Sequence, residues 1–161
     1  MSHIDDSFDP AAHVTCARKS FDELRVGDRF VIPSRTIGDA NFSAFQAASM
    51  DNHPIHYDME YCRAQGHPTL LGHGYQALIL CAPGASALPH VLGDALIGFV
   101  EQSSKFLGPL YLGDTAYPAL EITDLTRQRT NGVVTLRNTV HNQRRELILD
   151  GWQKLLVRLL G

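Results

Sequence analysis

Asn131-Gly132 stands between two long alternating runs, residues 115–128 and 133–142. An Asn-Gly pair suits the left-handed turn of a tight hairpin, so the two runs are expected to pair antiparallel. Similar alternation marks residues 95–107, ended by Gly108-Pro109, and residues 146–160, with a possible bulge at Gly151. Pro118 is a possible break in the first run of the hairpin. Residues 29–37 are also β-rich, and Pro33 confines their middle to an edge or a break. One segment is of the opposite kind. From Tyr75 the chain is apolar all round, through Ala77, Leu78, Ile79, Leu80, Cys81 and Ala82. That composition predicts a helix enclosed on every side, ended or kinked by Pro83-Gly84. Long antiparallel strands plus one apolar helix predict an α+β fold, a curled antiparallel sheet wrapped around a central helix.

The 161 residues fit a single domain with one substantial core. A formal net charge of −3 gives no electrostatic case for nucleic acid as a partner. No apolar run is long enough to span a bilayer, so no membrane partner is expected. The start, MSHIDDSFDP, lacks the basic and apolar regions of a secretory signal. Cys16, Cys62 and Cys81 are odd in number and widely spaced, without a metal or redox motif. That usage suits a reducing, cytoplasmic setting. Cys81, within an apolar run, reads as a small buried residue.

Between the β-rich start and the apolar helix lies a polar, bent stretch, residues 51–74. It holds His53, His56, His67 and His73, half of the eight histidines, together with Asp51 and Asp58. Before it, Gly38-Asp39-Ala40 opens a helix with Asp39 a plausible N-cap, and Phe42, Phe45 and Ala48 follow at helical spacing. Those phenylalanines read first as core, with an acyl pocket the alternative. Residues 59–65 form a short helix closed by Gly66 and capped by Asp58. Asp51 and His56 are five apart, a spacing that shares no face of a helix or strand. Pro54 lies between them and discourages helix at His53. The two side chains converge only if the chain turns over on itself, which is how a loop presents an acid/base pair. A turn of solvated polar residues is the plain alternative. Asn52 is expected to brace the loop through a side-chain turn bond. A metal held by His53, His56, Asp58 and His67 is conceivable, but their spacing on a proline-bent loop matches no ligand motif, and none is expected.

Asp51-Asn52-His53-Pro54-Ile55-His56-Tyr57-Asp58, with Gly72-His73-Gly74 following, resembles the signature of MaoC-like (R)-specific enoyl-CoA hydratases. Weaker likeness runs through Arg35-Thr36-Ile37, FLGPLYLGDT from Phe106 and Val140-His141-Asn142. Two positions depart from the family pattern: His53 stands where Asn is usual, and Met50 where Gly is common.

The resemblance implies a hotdog domain over residues 21–161, preceded by an arm of residues 1–20. It implies Asp51 and His56 as the catalytic pair, and the Gly74 amide as the donor to the thioester oxygen. Asn52, His53, Pro54 and His73 shape that site. No cofactor is implied beyond the coenzyme A thioester that is the substrate, and a homodimer or a larger assembly of dimers is the expected state. The expected reaction adds or removes water across the 2,3 double bond of an acyl thioester. An acyl-CoA thioesterase on the same fold and a non-catalytic acyl-binding partner subunit are the competing readings. Which of Asp51 and His56 serves as acid or base stays open at this point.

Overall fold

In a computed structural model, residues 3–159 are described; Met1 and Ser2 of the arm and Leu160 of the last expected strand lie outside them. The elements are β1 (Arg29–Val31), β2 (Arg35–Thr36), α1 (Asp39–Ser49), α2 (Met59–Ala64), α3 (Gly74–Ile79), α4 (Leu88–Leu92), β3 (Leu96–Phe106), β4 (Thr115–Arg127), β5 (Asn131–Asn142) and β6 (Leu147–Arg158). All six strands join one antiparallel sheet in the order β1-β4-β5-β6-β3, with β2 also on β4. The architecture is α+β, as expected, with α3 and α4 sharing one core with the sheet.

The hairpin exists, but Asn131-Gly132 is not its turn. Asn131 and Gly132 open β5, Gly132 pairs with Arg127, and the reversal falls at residues 128–130, closed by the Gln128 N–H on the Asn131 carbonyl at 2.8 Å. Gly132 is small for a packing reason. A Cβ there would overlap the ring of buried Phe21, with Cζ only 2.6 Å away. Gly151 likewise forms no bulge; it pairs in register with Asn138 and Ser104. The real irregularities lie at Ile122/Asp124, at Val140/His141 and twice along β3.

Proline punctuates the sheet as its chemistry requires. Pro33 sits in the gap between β1 and β2, and the break there faces Pro118 on β4. Pro118 does not interrupt β4, because it pairs with Val140 on one side and its carbonyl takes the Ile32 N–H on the other.

The apolar helix departs most from expectation. α3 is six residues long, then the chain turns at Leu80–Ala82 and continues through a 3-10 turn, Pro83–Ala85, to α4. Pro83 explains the stop: its ring clashes with the carbonyl four residues back, at Ile79, where α3 ends. The helix is also not enclosed on every side. Gln76 and Ala77 are buried, whereas Tyr75 and Ile79 are 63% and 56% exposed. Its buried face continues through Cys81, Leu88 and Leu92 onto Leu120, Ile122, Val134, Leu136, Val140, Leu149 and Leu155, one contiguous core. Cys81 is the buried residue expected, and burial pushes its thiol up to about 12.

A buried carboxylate fixes the turn before β4. Asp114 is 4% exposed and accepts from the Tyr111 N–H, the Gln143 amide and Arg144. Burial alone would raise its pKa, but those donors outweigh it and hold the carboxyl below the usual carboxylate range. A depressed folded-state pKa contributes stability that is full above the ordinary carboxylate pKa and lost as pH falls through the depressed value. Asp114→Asn is therefore expected to cost about 1–3 kcal/mol at neutral pH. Urea titrations of the two proteins should converge as the solution is acidified; a gap unchanged by pH would exclude this role.

Candidate active site

The polar stretch folds as three short pieces that aim side chains inward. Met50 ends α1 in the left-handed region, φ +58°, and the chain doubles back. Asp51 then closes an Asx-type turn, its Oδ1 accepting the His53 N–H at 2.9 Å. Pro54 starts a 3-10 turn, Pro54–His56, and His53 caps it by accepting the Ile55 N–H on Nδ1. Asp58 caps α2 as expected, taking the N–H groups of Glu60 and Tyr61. The brace expected of the Asn52 side chain is supplied by Asp51 instead; Asn52 is exposed and offers its carbonyl to the Tyr57 hydroxyl.

The chain does turn over on itself here, and Asp51 Oδ2 and His56 Nε2 lie 4.0 Å apart. A third group joins them. His73 Nε2 lies 3.0 Å from the same Asp51 oxygen. Its ring is held from the other side, where Nδ1 accepts the Tyr75 N–H and so caps α3. An imidazole that accepts on Nδ1 carries its proton on Nε2 when neutral, so His73 donates to Asp51. His56 has the opposite tautomer. Its Nδ1 lies 2.6 Å from the Leu71 carbonyl, which only accepts, so Nδ1 carries the hydrogen and Nε2 presents a free lone pair.

The His53 N–H holds the Asp51 carboxyl below the usual carboxylate range, although partial burial works the other way. Asp51 is thus ionised at neutral pH. Beside the three residues lies a crevice of about 10 Å³, bordered by Phe42, Phe45, Gln46, Ser49 and Gln76. That is about what one water molecule requires. A gap of 4.0 Å is too long for a direct hydrogen bond and suits two groups that share one small molecule. Phe45 and Gln76 also border a larger cavity of about 280 Å³ between α1, α3 and the β1–β2 edge. Phe42 is core, as read first, while Phe45 lines the cavity.

Asp51, His56 and His73 bring ligand-type atoms within 4.8 Å of one another, the one such group among the described residues. It differs from the set considered on the sequence, because Asp58 is spent on α2 and His67 meets the Tyr111 hydroxyl. A metal would need the Nε2 lone pair of His73, where the tautomer places a proton, so His73 does not fit as a ligand.

Gly74 opens α3, and its N–H is one of the first-turn amides that no carbonyl within the helix can reach. A Cβ there would stand 3.2 to 3.4 Å from the Phe106 ring, so only glycine fits without displacing it. The His73–Asp51 contact and the position of Gln76 were not read from the sequence. The first joins residues on separate elements, and the second was hidden within a run taken as apolar.

The one-sheet α+β domain is a hotdog fold, with a carboxylate and two imidazoles gathered beside a helix start. The chain belongs to the family described as MaoC like domain, which matches residues 23–144. It is 31% identical to an (R)-specific enoyl-CoA hydratase of Rhodospirillum rubrum over 123 residues, 74% of this chain and 78% of the relative. It is 26% identical to a mitochondrial 3-hydroxyacyl-[acyl-carrier-protein] dehydratase of Arabidopsis thaliana, covering 80% of this chain and 74% of that one. Among solved structures, a Mycobacterium tuberculosis protein described as a double hotdog fold superposes with a TM-score of 0.74 at 23% identity, over 89% of this chain and 45% of that one. Among the described residues no helix is long and apolar enough to cross a membrane.

Proposed function

We propose that this protein is a hydro-lyase that adds water to, or removes it from, the 2,3 bond of an enoyl-CoA thioester, giving or consuming an (R)-3-hydroxyacyl product. The observation that carries the reading is the pairing of an ionised Asp51 with the free Nε2 of His56 across a gap sized for one shared water. The thioester oxygen is held by the Gly74 N–H, where the amide strengthens its bond as the enolate forms. Water bridges Asp51 Oδ2 and His56 Nε2. His56 takes one of its protons as the oxygen attaches to Cβ, and the electron pair of the double bond moves into the thioester enolate. Collapse of the enolate draws a proton from the His56 imidazolium onto Cα, which returns the site to its starting state. Asp51 anchors the water and stabilises the imidazolium. No cofactor takes part.

In this scheme His73 is a positioning residue, since it bonds Asp51 rather than the water. His73→Ala is expected to lower kcat by about 10- to 100-fold, the scale of one hydrogen bond to a charged group. The substrate KM should change little. Unaltered kcat would remove His73 from the scheme.

The reading is tested against thioester hydrolysis by following enoyl absorbance and free thiol together. Loss of enoyl absorbance without thiol supports hydration; thiol release from saturated acyl-CoA supports a thioesterase; neither signal supports a binding subunit.

The assembly we propose is a homodimer. β3 forms one edge of the sheet, and Ile97, Phe99, Val100, Phe106 and Leu107 on and beside it are about half exposed, as are Tyr75 and Ile79 of α3. An open, apolar edge strand of 11 residues is covered most simply by the same edge of a second copy. Sedimentation at micromolar concentration should give a dimer mass.

A further inference from the structure

We propose that Gln76 and Arg35 make the larger cavity a receptor for an acyl chain bearing a carboxylate beyond the reacting carbons. The inference rests on the hydratase reading for where the thioester lies, and the cavity then receives the rest of the acyl group. A cavity meant for plain hydrocarbon needs only apolar walls, such as those Ile37, Ile79 and Leu80 provide here. Three of its wall residues are polar; Asn41 is spent on the Gly38 N–H at the start of α1, and the other two do not fit that purpose.

Gln76 is 4% exposed, and its amide nitrogen Nε2 has no hydrogen-bond partner. A buried amide without an acceptor is costly, and a ligand in the cavity can supply one once the amide turns towards it. Its position says which part of the ligand: Gln76 stands in the wall shared by the catalytic crevice and the cavity, so it meets the acyl group just past the reacting bond. Arg35 borders the same cavity from β2 and joins no ion pair among the described residues. A guanidinium offers a planar fork of donors matched to a carboxylate. A hydroxyl or keto oxygen would satisfy Gln76 and leave Arg35 idle. A carboxylate on a short acyl chain engages both.

The test compares trans-2-enoyl-CoAs of four to six carbons with their terminally carboxylated counterparts, using the full chain, Gln76→Leu and Arg35→Gln. Calorimetry on the matching saturated acyl-CoAs measures binding without turnover. Wild type should favour the carboxylated chain at least tenfold in both kcat/KM and affinity, and each variant should reduce that ratio by about tenfold or more. Arg35 is exposed, so its variant keeps the test informative if Gln76→Leu folds poorly. A wild-type preference for the plain chain, or variants that weaken both substrates alike, would overturn the proposal. If no substrate is hydrated but calorimetry retains the carboxylate preference, the hydratase reading falls and the receptor stands. Hydration without the preference gives the reverse.

Discussion

Asp51→Asn and His56→Ala are each expected to lower kcat for enoyl-CoA hydration by about 10²-fold or more, the usual contribution of a positioned acid/base group. The geometry says how the two losses should differ. His56 is only 17% exposed in its side chain, and its Nδ1–H is committed to the Leu71 carbonyl, so Nε2 is the lone pair held towards the water. His73 presents its proton, not its lone pair, towards the same place. Asp51→Asn keeps the size of the side chain and an oxygen for the His53 N–H, so the loop should keep its shape while the charge is lost. Circular dichroism and melting temperature should therefore stay near wild type in Asp51→Asn while kcat falls. The double variant should be little worse than His56→Ala, because residues that act on one water act as a unit. Full turnover in either single variant would sink the assignment.

The largest effect on stability is expected from Gly151→Ala. A Cβ at this position would overlap Ser104 Oγ and the Ser103 carbonyl oxygen, and would lie 2.8 Å from Ser104 Cα. These are mostly backbone atoms of the neighbouring strand, so no rotamer change relieves the clash. The strands β3 and β6 must separate locally, and Asn138 Nδ2, which donates to Ser104 Oγ from the β5 side, loses its geometry as well. Overpacking of this kind costs about 1–3 kcal/mol and occasionally more. For a domain of this size that lowers the melting temperature by several degrees. Because β3 is also the edge proposed to pair with a second copy, the variant should weaken any such dimer. A melting temperature within one degree of wild type, measured calorimetrically, would rule this out.

Much of this fold can be read before coordinates, and the failures share a cause. Alternating strands announce themselves through local pattern, and Pro33 and Pro83 act through their own rings, so both breaks fall where the residues demand them. Gly132 and Gly151 were misread because glycine looks the same whether it serves a turn or a close contact. Only the approach of Phe21 and of Ser104, distant in sequence, decides between those uses. Met50, standing where the family often has glycine, does show what that position needs: a left-handed residue that closes α1 and launches the loop. At the site, proline and odd spacing marked Asp51 and His56 as a loop pair, and the family likeness of that loop singled them out. The part of His73 was not, since it depends on how the start of α3 docks against that loop.

Phe106 ties two of these observations together. It ends β3, the strand whose outer side is open, and its ring lies against Gly74, the residue proposed to hold the thioester oxygen. Whatever settles the position of that strand also sets the doorway to the reacting carbons. If the proposed dimer covers that strand, turnover per molecule is expected to drop on dilution, although each copy keeps Asp51, His56 and His73 together.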